Sequence, residues 1–219
     1  MELVVFDLDG TLIDSRRDLA DSANVMLRGY GSSPLSENQI ASMVGCGAAT
    51  LVKRVITAAG VDAPLEEALA RFLSAYDGRL THHTRTYDGI PALLDELQAA
   101  HMKMAVLTNK PLEQSVRILD AFGISKHFQW VIGGDGPWPR KPAPDGLQFL
   151  MRQANASNRE TVLVGDSAID LQTARNAGVA ICLVRYGFGF ADLSANDLRG
   201  EESVVDTPAD ISGVLSARR

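Results

Sequence analysis

Asp7 and Asp9 lie two residues apart where an apolar run ends, in VVFDLDGTLID (Val4 to Asp14). Leu3 to Phe6 read as a short, fully buried strand, rich in branched and aromatic side chains. Carboxylates just past such a strand are costly to bury unless a metal ion or a charged ligand compensates them. Similar polar groups follow other apolar runs. LTNK supplies Thr108 and Asn109, WPRKPAPD supplies Lys141, and GDSAID supplies Asp166 and Asp170. Ligands of an open parallel sheet bind outside the carboxyl ends of its strands. The sequence therefore predicts carboxylates, a hydroxyl and a lysine at one edge, the composition for holding Mg²⁺ and a phosphate. Mg²⁺ keeps several waters and needs only one or two carboxylates plus substrate phosphate. An aspartate can attack phosphorus to give an aspartyl-phosphate. A second carboxylic acid can protonate the leaving oxygen and then activate water. In extended chain Asp7 and Asp9 point the same way, so these roles can be divided between them. A lysine and a hydroxyl would neutralise and orient the transferring group.

The elements that must position these groups follow from patterning. Leu3 to Phe6, Met104 to Thr108, Thr161 to Gly165 and Ala180 to Val184 read as buried strands, with Gln129 to Ile132 a weaker fifth. Helical patterns lie between them: Ile90 to Ala100 with Pro91 in the first turn, Leu112 to Phe122, Asp145 to Ala154, and Ile169 to Ala177 stopped by Gly178. Strands alternating with helices, without hairpin signals, predict a parallel sheet covered on both faces. The interval after the first strand is too long for one crossover. It holds helix patterns and no convincing strand: capping-box spacing at Ser36 to Gln39, then Ala48 to Ala59 and Leu65 to Leu80. The expected fold class is α/β, a Rossmann-like doubly wound parallel sheet core with an inserted α-helical cap domain. Residues 1–14 and 84–219 form the core and 15–83 the cap, with hinges around Asp14–Ser15 and Thr81–Tyr87.

Composition narrows the class. The 219 residues suit a core plus a small insertion, and 46% hydrophobic with 22% charged residues is ordinary for a soluble globular protein. A net charge of -6 gives no basic excess for nucleic acid. No segment approaches the roughly 20 apolar residues that span a bilayer. Cys46 and Cys182 are too few for a disulfide framework or zinc site, and the N-terminus lacks the regions of a signal peptide, so a cytoplasmic setting is expected.

DLDGTLIDS, LTNK, Lys141 in RKPAPD, and GDSAID resemble, in order, the four motifs of the haloacid dehalogenase superfamily of phosphohydrolases. The resemblance covers essentially the whole chain, including the helical cap. It implies Asp7 as nucleophile, Asp9 as general acid/base, Thr108 as the phosphate-binding hydroxyl and Lys141 as the lysine bridging nucleophile and phosphate. It implies Mg²⁺ held by Asp7, the Asp9 backbone carbonyl and Asp166, with Asp170 one layer out, on a metal water or on Lys141. Thr11 and Asn109, with Gly45, Gly47 and Arg54 of the cap, are the candidate substrate contacts. Asp9 argues against dehalogenation, and Gly10-Thr11 departs from the mutase pattern. VGCGAATLVKR, YDGIPALLDEL and VRYGFG are similar to bacterial phosphoglycolate phosphatases. The expected partner is a small phosphorylated metabolite, with no nucleic acid or membrane, acted on by a monomer or homodimer. Alternatives are a phosphatase for a sugar phosphate or biosynthetic intermediate, a phosphoglucomutase-like phosphotransferase, and a binding or regulatory module on the same fold.

Overall fold

The computed structural model describes residues 1–217. In chain order the elements are β1 (Leu3–Phe6), β2 (Ile13–Asp14), α1 (Arg16–Arg28), α2 (Glu37–Ala41), α3 (Ala48–Ala58), α4 (Leu65–Asp77) and β3 (Arg85–Thr86). There follow α5 (Ile90–Ala99), β4 (Lys103–Leu107), α6 (Leu112–Ala121), β5 (Trp130–Ile132), α7 (Asp145–Ala154), β6 (Thr161–Gly165), α8 (Ala168–Ala177), β7 (Ala180–Val184), β8 (Ser203–Val205) and α9 (Pro208–Ser216).

Six strands form one sheet in the order β5-β4-β1-β6-β7-β8, all pairings parallel. β1 is central, which is why Leu3 to Phe6 are apolar without alternation: each faces a covered side. Val4 and Phe6 pack with Met104, Val106, Val162 and Val164 on one face. Leu3 and Val5 pack with Ala105, Leu107 and Leu163 on the other. α8 begins at a reciprocal capping box between Ser167 and Asp170, and α2 at one between Ser36 and Gln39. Among the described residues no helix is long and apolar enough to cross a membrane.

Four elements escaped the sequence pattern. β8 and α9 extend the sheet and its covering layer beyond β7. β2 and β3 form a two-residue antiparallel ribbon, Ile13 opposite Thr86 and Asp14 opposite Arg85. This ribbon joins the two passages of the chain into and out of α1 to α4. α1 packs on α2 and α4, and α3 on α4. The fully buried Asp18 of α1 ties the return passage down. Its carboxylate accepts from the backbone N–H of His83 at 2.9 Å, from that of Thr84 at 2.7 Å, and from Thr84 Oγ1 at 2.8 Å.

Candidate active site

Asp7 leaves the end of β1 with its backbone N–H bonded to Val164 O at 2.9 Å, so the sheet ladder itself fixes its start. Its Oδ1 lies 2.8 Å from Lys141 Nζ, and the same ammonium donates to Asp170 Oδ1 at 2.6 Å. Asp170 Oδ2 accepts from Ser167 N–H at 3.1 Å and Ser167 Oγ at 2.6 Å. Both Asp170 oxygens are thus committed, one to Lys141 and one to capping α8. Asp166 follows β6; its Oδ1 accepts from Thr11 Oγ1 at 3.3 Å and its Oδ2 from Gly189 N–H at 2.7 Å. Asp7, Asp166 and Asp170, all buried, each offer a carboxylate oxygen within 4.8 Å of the others.

Such crowding has an electrostatic consequence. Burial pushes the Asp7 carboxyl up to about 7; Lys141 opposes the shift and Asp170 adds to it. Burial, then the charges of Asp170 and Asp7, raise Asp166 well above the usual carboxylate range. Burial also disfavours the Lys141 ammonium, but Asp170 and Asp7 outweigh it and hold that charge firmly. Three carboxylates converging on one lysine leave negative charge uncompensated. Hard oxygen donors so disposed fit a divalent hard cation, which would reverse the upward shifts. Gly10 is part of this geometry. Its φ is +89°, and a Cβ there would stand 2.1 Å from Asp166 Oδ2, so only glycine lets Asp166 come so close.

Beside the cluster, Asp9 and the helices of 15–83 enclose a second region. The Asp9 carboxylate accepts from Ser15 Oγ at 2.5 Å and from Lys110 Nζ at 2.8 and 2.9 Å. Lys110 is 6% exposed, with its ammonium 4.8 Å from the Tyr76 ring centre. Burial weakens its charge, but Asp9 and then Tyr76 raise its affinity for the proton above the usual lysine range. Asp7, Asp9 and Thr108 meet α3 and α4 around a cavity of about 50 Å³, walled by Leu51, Phe72 and Tyr76.

The family model for haloacid dehalogenase-like hydrolases matches residues 4–184. The chain belongs to this family. A phosphoglycolate phosphatase of Chromobacterium violaceum is 38% identical over 202 residues, covering 90% of this chain and 91% of that one. One from Pseudomonas putida is 40% identical over 192 residues, 85% of this chain and 70% of that one. The crystal structure of a predicted phosphoglycolate phosphatase from Haemophilus somnus superposes with a TM-score of 0.92 at 30% identity, covering 98% and 97% of the two chains.

Against the hydrolase pattern, the structure gathers Asp7, Asp9, Thr108, Lys141, Asp166 and Asp170 at one rim, and brings Gly45 and Gly47 to the cavity. Gly47 has φ +87°, and a Cβ there would lie 3.1 Å from Asn109 O, so the loop before α3 sits directly on the core. Thr108 lines the cavity while its Oγ1 accepts from Lys110 N–H at 3.2 Å. Three expected substrate contacts are engaged elsewhere by hydrogen bonds, Asn109 while still lining the cavity. Asn109 Nδ2 donates to Gly45 O at 2.9 Å and Lys141 O at 3.0 Å, and its Oδ1 accepts from Lys141 N–H at 2.9 Å. Its amide is used up in clamping the Lys141 backbone and the cap loop. Thr11 is fully buried and gives its hydroxyl to Asp166. Arg54 is exposed and donates to Met43 O at 2.9 Å and towards Cys46 Sγ at 3.5 Å, so it does not reach the cavity. The cation that does is Lys110, which sequence reasoning passed over. Its one signal was its place two residues after Thr108 in LTNK, where an ordinary lysine would be solvated.

Proposed function

We propose that the chain is a Mg²⁺-dependent phosphomonoesterase whose substrate is a small phosphorylated hydroxy acid, phosphoglycolate foremost. The observation that carries this reading is Asp7 itself, a buried carboxylate bridged to Lys141 beside Asp166 and opening, with Asp9, into one small cavity. The naming of relatives 38–40% identical as phosphoglycolate phosphatases supports the substrate. So does size, since about 50 Å³ compares with roughly 10–15 Å³ for one water. A two-carbon acid suits that space better than a sugar ring.

Asp7, the Asp9 carbonyl and Asp166 would hold Mg²⁺, with Asp170 spent on Lys141. When bound, the ion supplies positive charge to the phosphoryl oxygens and to the Asp7 carboxylate. An Asp7 oxygen attacks phosphorus as the bond to the ester oxygen breaks, and Asp9 gives that oxygen its proton. Glycolate leaves and Asp7 carries the phosphoryl group. Asp9, now a carboxylate, takes a proton from the water that attacks phosphorus. The Asp7–phosphorus bond breaks and inorganic phosphate is released. Thr108 Oγ1 and Lys141 Nζ orient and neutralise the transferring group throughout. The helices of 15–83 are assigned as a cap domain hinged at the β2–β3 ribbon, which excludes bulk water on closing.

A panel of small phosphate esters with Mg²⁺ tests this. Phosphoglycolate should be hydrolysed fastest, and Asp7→Asn should abolish turnover while leaving the fold intact. Turnover by Asp7→Asn at the parent rate would refute the nucleophile.

A further inference from the structure

Two buried polar atoms in the cavity wall have no hydrogen-bond partner: Tyr76 Oη and Gln114 Oε1. Tyr76 is 3% exposed, so water in the bulk does not serve it. Native interiors leave few such groups, because each has given up its hydration without gaining a replacement bond. Both stand around the same space as Lys110, whose ammonium is also buried. The remaining wall is mainly apolar, with Leu51, Phe72 and Leu73. An unpaired phenol, an unpaired amide oxygen and a buried ammonium already bridged to Asp9 surround one small volume, a polar recognition site whose occupant can accept from the phenol and share the ammonium.

We infer that Lys110 and Tyr76 Oη form the subsite for the substrate's carboxylate, and so select phosphorylated hydroxy acids over neutral phosphate esters. The inference rests on the phosphatase reading for its reaction, but not for its binding geometry. The carboxylate would take one hydrogen bond from Lys110 Nζ and one from Tyr76 O–H. Rotating the Gln114 amide exchanges its oxygen for the NH₂ group and adds a third donor. The phosphate end then falls towards Asp7 and Lys141, which lie beyond Asp9 on the core side. Lys110 is the cation anticipated at Arg54, supplied by the core strand end and completed by a cap residue. Recognition is therefore assembled only when cap and core meet.

Tyr76→Phe is the decisive variant, because Tyr76 makes no hydrogen bond to Asp9. Phosphoglycolate and ethyl phosphate, which share the two-carbon ester but differ by the carboxylate, are compared. The parent should prefer phosphoglycolate strongly. Tyr76→Phe should lose roughly tenfold or more in kcat/KM on phosphoglycolate, mainly through KM, and several-fold less on ethyl phosphate. Its Tm should hold or rise, since a buried unpaired hydroxyl has been removed. Lys110→Met should slow both esters through Asp9, yet bring their ratio close to one. Calorimetric binding of both compounds to Asp7→Asn, with and without Tyr76→Phe, reads the subsite without turnover. If the parent hydrolyses no phosphate ester but Asp7→Asn still binds phosphoglycolate through Tyr76, only the reaction has been misread. Equal losses on both compounds, or none on either, would overturn the subsite.

Discussion

The three crowded carboxylates make stability depend on pH and on metal in a way that can be worked through. Asp7 is raised from an ordinary 3.8 to about 7, with burial the main cause. A carboxyl raised in the folded state contributes its full stability below 3.8, where folded and unfolded forms are both protonated. That contribution is lost progressively between 3.8 and about 7, where the unfolded chain is ionised and the folded carboxyl still holds its proton, and the loss is complete once both are charged. The limiting loss for Asp7 is on the order of 4 kcal/mol. At about 2–4 °C per kcal/mol for a chain of this size, it corresponds to a Tm change of order 10 °C. A bound divalent cation pairs with the ionised form and cancels the loss. Thermal unfolding by circular dichroism, in EDTA and in excess Mg²⁺, should give nearly coincident Tm values near pH 5. The gap should open as pH passes through 7 and reach its limit near pH 8. Asp7→Asn has no such proton to lose, so its Tm in EDTA should be the higher of the two at pH 8 and its gap smaller. A gap independent of pH, or one unchanged in Asp7→Asn, would refute the reading of this cluster as a cation site short of its cation.

Asn109→Ala should lower kcat far more than it raises KM, because the amide holds the Lys141 backbone; a KM effect alone would mean direct phosphate contact. Removing its three hydrogen bonds should also cost on the order of 3 kcal/mol, read as a Tm loss. Asp18→Ala strips the buried acceptor from His83 and Thr84, and should cost about 3 kcal/mol or more. Hydrogen exchange should then quicken at residues 83 and 84 and through α1, and unchanged protection there would contradict the anchoring role.

The core was legible because burial on both faces leaves an unmistakable mark. β1, β4, β6 and β7 are largely apolar runs with no alternation, and β1, β4 and β6 each lead into a polar residue of the site, Asp7, Thr108 and Asp166. Helices with strong stop or cap signals, such as α7 and α8, fall within a residue of expectation. β8 and the β2–β3 ribbon left no such trace. Ser203–Val205 is three residues at the sheet edge, and only Val205 is buried. Ile13–Asp14 pairs with Arg85–Thr86 across an insertion, so each strand is too short for a period and its partner is invisible to a local window.

The site divides along the same physical line. Residues whose place is set by the strand they terminate, Asp7, Thr108 and Asp166, could be located from position alone. Residues whose surroundings are set by what folds over them could not. Lys110 and Asn109 are neighbours in LTNK and both line the cavity, yet one meets Asp9 and Tyr76 while the amide of the other clamps Lys141 and the Gly45 loop. No spacing rule separates them; the separation comes from the Gly45–Gly47 loop and α4 arriving from far along the chain. Arg54 erred in the opposite direction, because an arginine on a cap helix looks like an anion partner until Met43 O and Cys46 Sγ claim its guanidinium. Strand ends disclose where the carboxylates gather, while the contacts between residues 15–83 and the sheet rim emerge only when both surfaces are seen together.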